Sequence, residues 1–594
     1  MEEIPLFLKG IKGATTMEMV REAWYMALLS GPATQGVNIA SNALVSLWTI
    51  PEHLAAGLIG KLHGGEKVYL QEALARSYGW TVGHKMGLHA AHKAWVTEEP
   101  SVGQKLEYTK RRAIPSKKFR KGKVKKKIAG IPIPFTGEVE IGGKQLRAPG
   151  RALIAGDEYF KALSFFQKAY ELAAFDGIKA GKKGKALAEH VKNFVGNLPE
   201  SAKEEARKAA RVQTFTEQLG PAGQALMTLR EKLPGSWVVI PFIQTPTNIL
   251  KWSIKRTPLP LVSAAVNMGE VNAQLRAGGR ERDIALGRMA FGSGVMALVA
   301  AYASEGLFTG QGPDDPRERS LLRAQGWQPY SIKIGDKYYS YAFYEPLGIL
   351  FGLASDYAAI RKAYPKIATE KEWGELTNMV VAAFTNNMTN KIYMRGVTEI
   401  IRAVDDPQRY GNKYVAGIAA TVVPTGVAQM ARLNDPVVRE IRGVLDTFKA
   451  RIPGLRKTLP VMLNPFGEEI ASEGAFGPDI ASRIYTSQIR DDPAIKELIR
   501  LDVGPGRLDR KIRGVKLNND QYIEYVKMAR QSAKRILDNF VNGDLWPVLS
   551  DYARRKLAKR IFDDTSEVAR EEMLTRHPEL LGETIHKKIK EITE

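Results

Sequence analysis

The chain has 594 residues, no cysteine and a formal net charge of +23. The missing cysteine excludes disulfides, thiolate metal sites and cysteine nucleophiles, and 44% hydrophobic with 25% charged residues excludes wholesale disorder and leaves apolar material for several domains. A positive excess of this size attracts polyanions, nucleic acid or anionic lipid, or else neutralises an acidic partner protein.

The N-terminal stretch MEEIPLFLKGIKGATT carries Glu2 and Glu3 where a secretory signal is positive and lacks a continuous apolar core, so export by that route is not expected. From Met17 to Leu62 the apolar spacing is helical. Pro32 and Pro51 each follow a helical stretch and are expected to end or kink it, leaving a set of short, weakly polar helices. Asn38, Ser41 and Asn42 lie among apolar residues and suit interhelical hydrogen bonds. Farther on, His89 and His92 share a helical face near His84, but no local Asp or Glu completes a metal site, so packed or surface histidines are expected and no metal.

The strongest charge signal is KRRAIPSKKFRKGKVKKK, with 11 basic residues and no acidic one: Lys110, Arg111, Arg112, Lys117, Lys118, Arg120, Lys121, Lys123, Lys125, Lys126 and Lys127. Self-repulsion favours an extended or loop-like run that contacts DNA phosphates or anionic lipid headgroups, the alternative being a solvated loop over an acidic neighbour. The next residues alternate apolar and polar around Thr136-Gly137 and Gly142-Gly143 and predict a small β element. Beyond it, Tyr159, Leu163, Phe166 and Tyr170 make one helical stripe with Asp157 as the expected N-cap, and Ser201 with Glu204 reads as a capping box for a helix ending near Gly220. Pro241 and Pro246 break the apolar segment from Gly235 to Trp252.

The centre of the chain, 284–348, joins an apolar segment to a hairpin. Between Met289 and Phe308 Glu305 is the only formal charge, a length that spans a bilayer. Met289, Phe291, Val295, Met296, Leu298, Val299 and Phe308 are the membrane-contact candidates, while Gly287, Gly292, Ser293 and Gly294 permit close helix approach. The segment is rich in Ala and Gly, so a buried core helix and a conditional membrane helix both remain open. Ser331 to Ile334 and Lys337 to Phe343 flank the tight-turn dipeptide Gly335-Asp336. Ile332 and Ile334 alternate with polar residues, and Tyr330, Tyr339, Tyr341 and Phe343 form an aromatic face for packing helices or stacking bases.

Helices resume after Leu347, and two amphipathic ones close the chain. The first carries the stripe Tyr522, Tyr525, Val526, Ala529, Ala533, Ile536 and Leu537, the second Tyr552, Leu557 and Ile561 beside basic Arg554 to Arg560. The expected fold is therefore mainly α, an elongated multi-helix assembly with β-hairpin insertions around 128–147 and 330–344. Its expected regions are 1–109, 110–147, 148–283, 284–348, 349–462 and 463–594. No phosphate loop, dinucleotide fingerprint, metalloprotease or nucleophile-elbow spacing occurs, so neither an enzyme nor a cofactor is expected.

The succession SGPATQGVNIASNAL (30–44), APGRALIAGDEYFKAL (148–163), IPFIQTPTNILKW (240–252), FTGQGPDDPRER (308–319), GWQPYSIKIGDKYYSYAFYEPLG (326–348), DDPQRYGNKY (405–414) and ARLNDPVVREIRGVLDTFKARIPGL (431–455) resembles tailed-phage and prophage proteins with large polyvalent-protein-associated helical domains. Such proteins are often labelled internal virion, core or DNA-ejection proteins. The resemblance runs over nearly the whole chain, and the peptidase, transglycosylase or polymerase modules of longer relatives are not recognisable in it. It implies a non-enzymatic homo-oligomer in the virion interior, beside the portal, other internal virion proteins and packaged double-stranded DNA. On ejection it would meet the host membrane and act in the host cell envelope. Two alternatives remain: a purely structural DNA-binding core protein, and a nucleic-acid-binding protein made after infection.

Overall fold

The computed structural model describes residues 14–101, 113–119, 139–232, 236–262, 269–363, 421–471 and 482–593. The chain is mainly helical with small antiparallel strand pairs, and it divides into two compact units. Unit 1 comprises Met1–Ala301 and Phe343–Val427; unit 2 comprises Tyr302–Ala342 and Ala428–Glu594. The central segment 284–348 is thus shared between the two units.

Unit 1 contains α1 (Thr16–Leu29), α2 (Pro32–Gly60), α3 (Leu70–Thr97), α4 (Ala148–Lys179), α5 (Gly184–Gly196), α6 (Glu200–Gln213), α7 (Pro221–Lys232), α8 (Gln244–Ile254), α9 (Gly269–Ala277), most of α10 (Gly279–Ser304) and α12 (Leu347–Ala363). The helix end expected ahead of Pro32 is found, since α1 stops at Leu29, but the break expected at Pro51 is not, so a set of short helices does not form. Pro32 opens α2 in its first turn, where the missing N–H costs nothing, and Pro51 lies inside an unbroken 29-residue helix. The carbonyl that Pro51 frees belongs to Leu47, on the exposed side of α2, where water can satisfy it. Asn42 Nδ2 reaches Asn38 Oδ1 at 3.4 Å within α2, and Ser41 Oγ is buried without a partner, so the interhelical bonds expected of Ser41 and Asn42 are not seen.

The axis of unit 1 is the antiparallel pair α3–α4. Gly79, Gly83 and Gly87 recur every four residues on α3 and face α4 directly. A Cβ on Gly79 would stand 2.5 Å from the Phe166 carbonyl oxygen, on Gly83 3.0 Å from the Leu163 Cα, and on Gly87 2.8 Å from the Tyr159 ring. Only residues without a side chain let the two backbones approach this closely. On another side of α4, Ala202 of α6 packs with Leu198 against Ala169. The expected N-cap at Asp157 is not observed, because α4 starts at Ala148 and carries Asp157 and Glu158 in its buried interior, paired with Lys161 at 3.4 and 2.8 Å. Ser201 does not cap α6 either: the helix follows Pro199 with no side-chain cap, and Glu204 instead bonds Arg211 at 3.0 Å. α1 closes one end through an aromatic cluster in which the Trp24 and Trp237 rings meet edge-on at 5.0 Å and Tyr25 donates to the Pro241 carbonyl at 2.8 Å.

Ser116–Phe119 (β1) and Val139–Gly142 (β2) form an antiparallel pair with Lys117 opposite Ile141 and Lys118 opposite Glu140. Two lysines of the basic run therefore lie in a strand. Lys110, Arg111, Arg112, Arg120, Lys121, Lys123, Lys125, Lys126 and Lys127, and residues 128–138 of the expected β element, lie outside the described residues.

Unit 2 holds a three-stranded antiparallel sheet, β3 (Ser331–Ile334), β4 (Lys337–Ser340) and β5 (Thr486–Gln488), together with α11 (Pro316–Ala324), α14 (Pro493–Arg500), α15 (Asn519–Val541), α16 (Asp551–Arg576) and α17 (Pro578–Thr593). α13 (Thr425–Asn434) begins in unit 1, and Lys511–Ile512 (β6) and Val515–Lys516 (β7) form a further short pair. The hairpin turns at Gly335-Asp336, with Gly335 at φ +61°. Its second strand ends at Ser340, three residues before the expected Phe343. α15 opens on a capping box in which Asn518 and Gln521 exchange side-chain bonds of 2.9 Å, and buries Tyr525, Ala529, Ala533 and Leu537 as its stripe requires. The α16 stripe differs: Ile561 is buried, but Tyr552 is exposed, because the core is completed by Trp546, Ala558 and Phe562.

The glycine seam yields a stability prediction. Gly79→Leu should destabilise unit 1 by about 3 kcal/mol through overpacking, read as a lowered thermal midpoint. Gly294→Ala, at a position with nothing within 4 Å, should leave that midpoint unchanged or raised.

Candidate functional site

Four helices of unit 1 deliver charged groups to one buried point. Glu171 of α4 is fully buried. Its Oε2 accepts from Arg76 of α3, and its Oε1 accepts from Arg280 of α10 at 2.6 Å and from Lys168 at 2.8 Å. Glu72 of α3, also fully buried, pairs with Arg280 through Oε2, while Oε1 accepts the Tyr69 N–H at the start of α3 at 2.8 Å. Arg76 is completed by Thr49 of α2 at 3.0 Å, Lys168 by Glu205 at 3.1 Å, and Arg280 lies 4.5 Å from the Phe175 ring. His53 of α2 points its Nε2 between the carboxylates, 3.3 Å from Glu171 and 3.8 Å from Glu72.

Burial alone would raise the Glu171 pKa, yet His53, Lys168 and Arg76 outweigh it and hold the carboxyl well below the usual range. A second cluster adjoins it. Arg256 forks onto Glu52 of α2, with one bond of 2.8 Å, and stacks on the Trp252 ring at 3.4 Å; burial first, then Arg288 and Arg76, bring its pKa to about 10 against the pull of Glu52. Burial lowers Lys255 to about 8, whereas Glu270, despite burial, is held at about 2 by Lys255 and Lys251 at 2.8 and 3.1 Å.

His53, Glu72 and Glu171 offer three donor atoms within 4.8 Å of one another, a spacing a metal ion could use. The residues do not fit one. Each Glu72 and Glu171 oxygen already accepts a hydrogen bond, three of the four from a cationic side chain, and a metal would strand Arg76 and Arg280 as buried, unpaired charges. The cluster is a lock between helices. No candidate nucleophile with an adjacent base is part of it.

The lock grips one end of α10. Besides Arg280, buried Asp283 lies 2.8 Å from His63 Nε2 and accepts the Val68 N–H at 3.3 Å. Gly287 abuts Ala56 of α2, where a Cβ would stand 2.6 Å from the Ala56 nitrogen, and Gly292 abuts the Arg256 carbonyl; Gly294 abuts nothing. Beyond Gly292 only Val299 is fully buried, Phe291 meets the Trp48 ring at 4.9 Å and Met296 flanks the Trp252–Leu350 cluster. Val295 is half-buried and Leu298 is 55% exposed. α10 and α2 are the two described helices long and apolar enough to cross a membrane. Of the membrane-contact candidates, Met289 and Val299 are buried. Phe308 is not on the helix: α10 stops at Ser304, Gly306 takes φ +80°, and Phe308 bridges to Ile332 beside Tyr341.

No known family, curated relative or solved structure matches this chain. The other sequence candidates lie apart from the lock. His84 contacts the Tyr159 hydroxyl and stacks edge-on against Trp80, and His89 and His92 are exposed. Tyr341 is buried and donates to the Thr309 carbonyl at 2.7 Å, Tyr330 packs edge-on to it, and Tyr339 stands opposite Ile332, so these tyrosines serve packing. Ile334, Gly335 and Asp336 form the exposed hairpin end, where Gln488 donates to Asp336 at 2.6 Å. Sequence reasoning missed Glu72, Arg76, Glu171 and Arg280 as a set. The available signal was single charges amid apolar helical stripes, each far from its partners in sequence.

Glu171→Gln should destabilise unit 1 by about 3–5 kcal/mol, because it leaves buried cations undercompensated, measured by denaturant unfolding. A carboxyl held below its unfolded value contributes stability above the unfolded pKa and loses it as pH falls through the folded one. The parent should therefore lose stability progressively below about pH 4.5, and Glu171→Gln should show a shallower acid slope.

Proposed function

We propose that this chain is a non-enzymatic internal virion protein of a tailed phage, stored with the packaged genome and helping DNA cross the host envelope. The observation that carries the reading is α10. It is a membrane-length apolar helix whose first half is anchored by Arg280, Asp283 and Gly287, while much of its second half, including Gly294, Ala297, Leu298 and Ala301, is exposed. A helix of this kind is stable in a folded unit and can be traded for lipid contacts when the anchor opens. The net charge of +23 suits storage beside DNA. In this reading the protein is a homo-oligomer near the portal, and Met289, Phe291, Val295, Met296, Leu298 and Val299 reach lipid only after release.

Mass spectrometry of purified virions should find the protein, and its absence would remove the storage role. The isolated protein, partially unfolded, should release dye from anionic vesicles. Ala297→Asp, at an exposed position, should leave the thermal midpoint intact but cut release several-fold, since a carboxylate at a membrane-helix centre costs about 2.5–3.5 kcal/mol. Unchanged release would count against insertion of α10.

A further inference from the structure

α3 turns a second kind of face outward. Opposite the glycine seam, Leu74, Tyr78, Lys85, Leu88, His92 and Trp95 follow one another at spacings of three, four or seven residues, a single stripe along the helix. All six are exposed, with Leu74 at 68%, Tyr78 at 60%, Leu88 at 66% and Trp95 at 38%. Leucines this open are isolated accidents on most surfaces; here they share one stripe with Lys85 and the polar ring of His92 along a helix fixed from behind by Gly79, Gly83 and Gly87. The only carboxylate on α3 is Glu72 and the only one on the neighbouring α2 is Glu52, and both are buried and paired with arginine. No acidic side chain of either helix therefore faces outward.

We propose that this face of α3 docks on an anionic lipid surface, lying along it with Leu74, Tyr78 and Leu88 in the headgroup–acyl boundary and Lys85 and His92 at the phosphates. Exposed apolar side chains beside a lysine, with no outward carboxylate, on a helix whose opposite face is already occupied and in a chain of net charge +23 suit an interfacial position on an anionic surface. A second copy of the chain is disfavoured because this face offers Lys85 no carboxylate to pair with. Duplex DNA would be held on this face by Lys85 alone among the charged groups and would leave the leucines in water. The inference goes beyond the role given to α10: docking needs no insertion and uses different residues.

The chain has no cysteine, so Thr81→Cys, on the same stripe, carries a single environment-sensitive fluorophore in the full-length protein. With vesicles of equal parts phosphatidylglycerol and phosphatidylcholine the label should shift to shorter wavelength and be quenched by acyl-chain bromines; with phosphatidylcholine alone or duplex DNA it should not. Leu74→Asp with Leu88→Asp, both exposed and so compatible with the fold, should weaken the label response about tenfold at an unchanged thermal midpoint. Ala297→Asp should leave it intact. A label that stays unmoved while the protein sediments with vesicles overturns the proposal, as does an equal response to duplex DNA. Loss of the response in Ala297→Asp would also overturn it, making contact a consequence of α10 insertion.

Discussion

A carboxylate with no access to water organises unit 1. An ionised group of this size loses several kcal/mol of hydration on burial, and the interior returns it only if cations approach in good geometry. Glu171 meets that condition with Arg76, Arg280 and Lys168, and Glu72 shares Arg280. Because Arg76 comes from α3, Arg280 from α10 and Glu171 from α4, sliding any of these helices by one turn would strand a charge. We read the lock as a device that selects one register; an all-apolar replacement could be as stable yet less selective.

The lock works only because the helices are close. Gly79, Gly83 and Gly87 bring α3 against α4, and Gly287 brings α10 against Ala56 of α2. The short arginine and glutamate reaches that result keep water out, which strengthens each ion pair and raises the penalty for breaking one. Close packing and charge pairing therefore depend on each other, and α10 receives both over its first half and little of either over its second.

That asymmetry separates the two membrane contacts proposed above for unit 1. The far half of α10 is apolar all round and gains from lipid only by leaving its site. The outer face of α3 would need no movement, since Leu74, Leu88 and Lys85 already stand in solvent while its glycines stay packed. Under those proposals the two act in sequence, with docking raising the local concentration of bilayer at a helix whose anchor must open.

The sequence by itself determined the helical class, the hairpin at Gly335-Asp336, the α15 stripe from Tyr525 to Leu537 and the apolar character of 289–304, because each rests on periodicity or turn chemistry within a few residues. It misjudged what depends on context. Pro51 sits inside a helix because its freed carbonyl faces solvent, Asp157 is buried because Lys161 pairs with it, and Phe308 bridges to Ile332 because Gly306 turns the chain. Tertiary structure alone decided the site. Glu72, Glu171 and Arg280 are separated by about a hundred residues at each step, read locally as ordinary surface charges, and meet only because glycine seams let four helices converge on a dry interior.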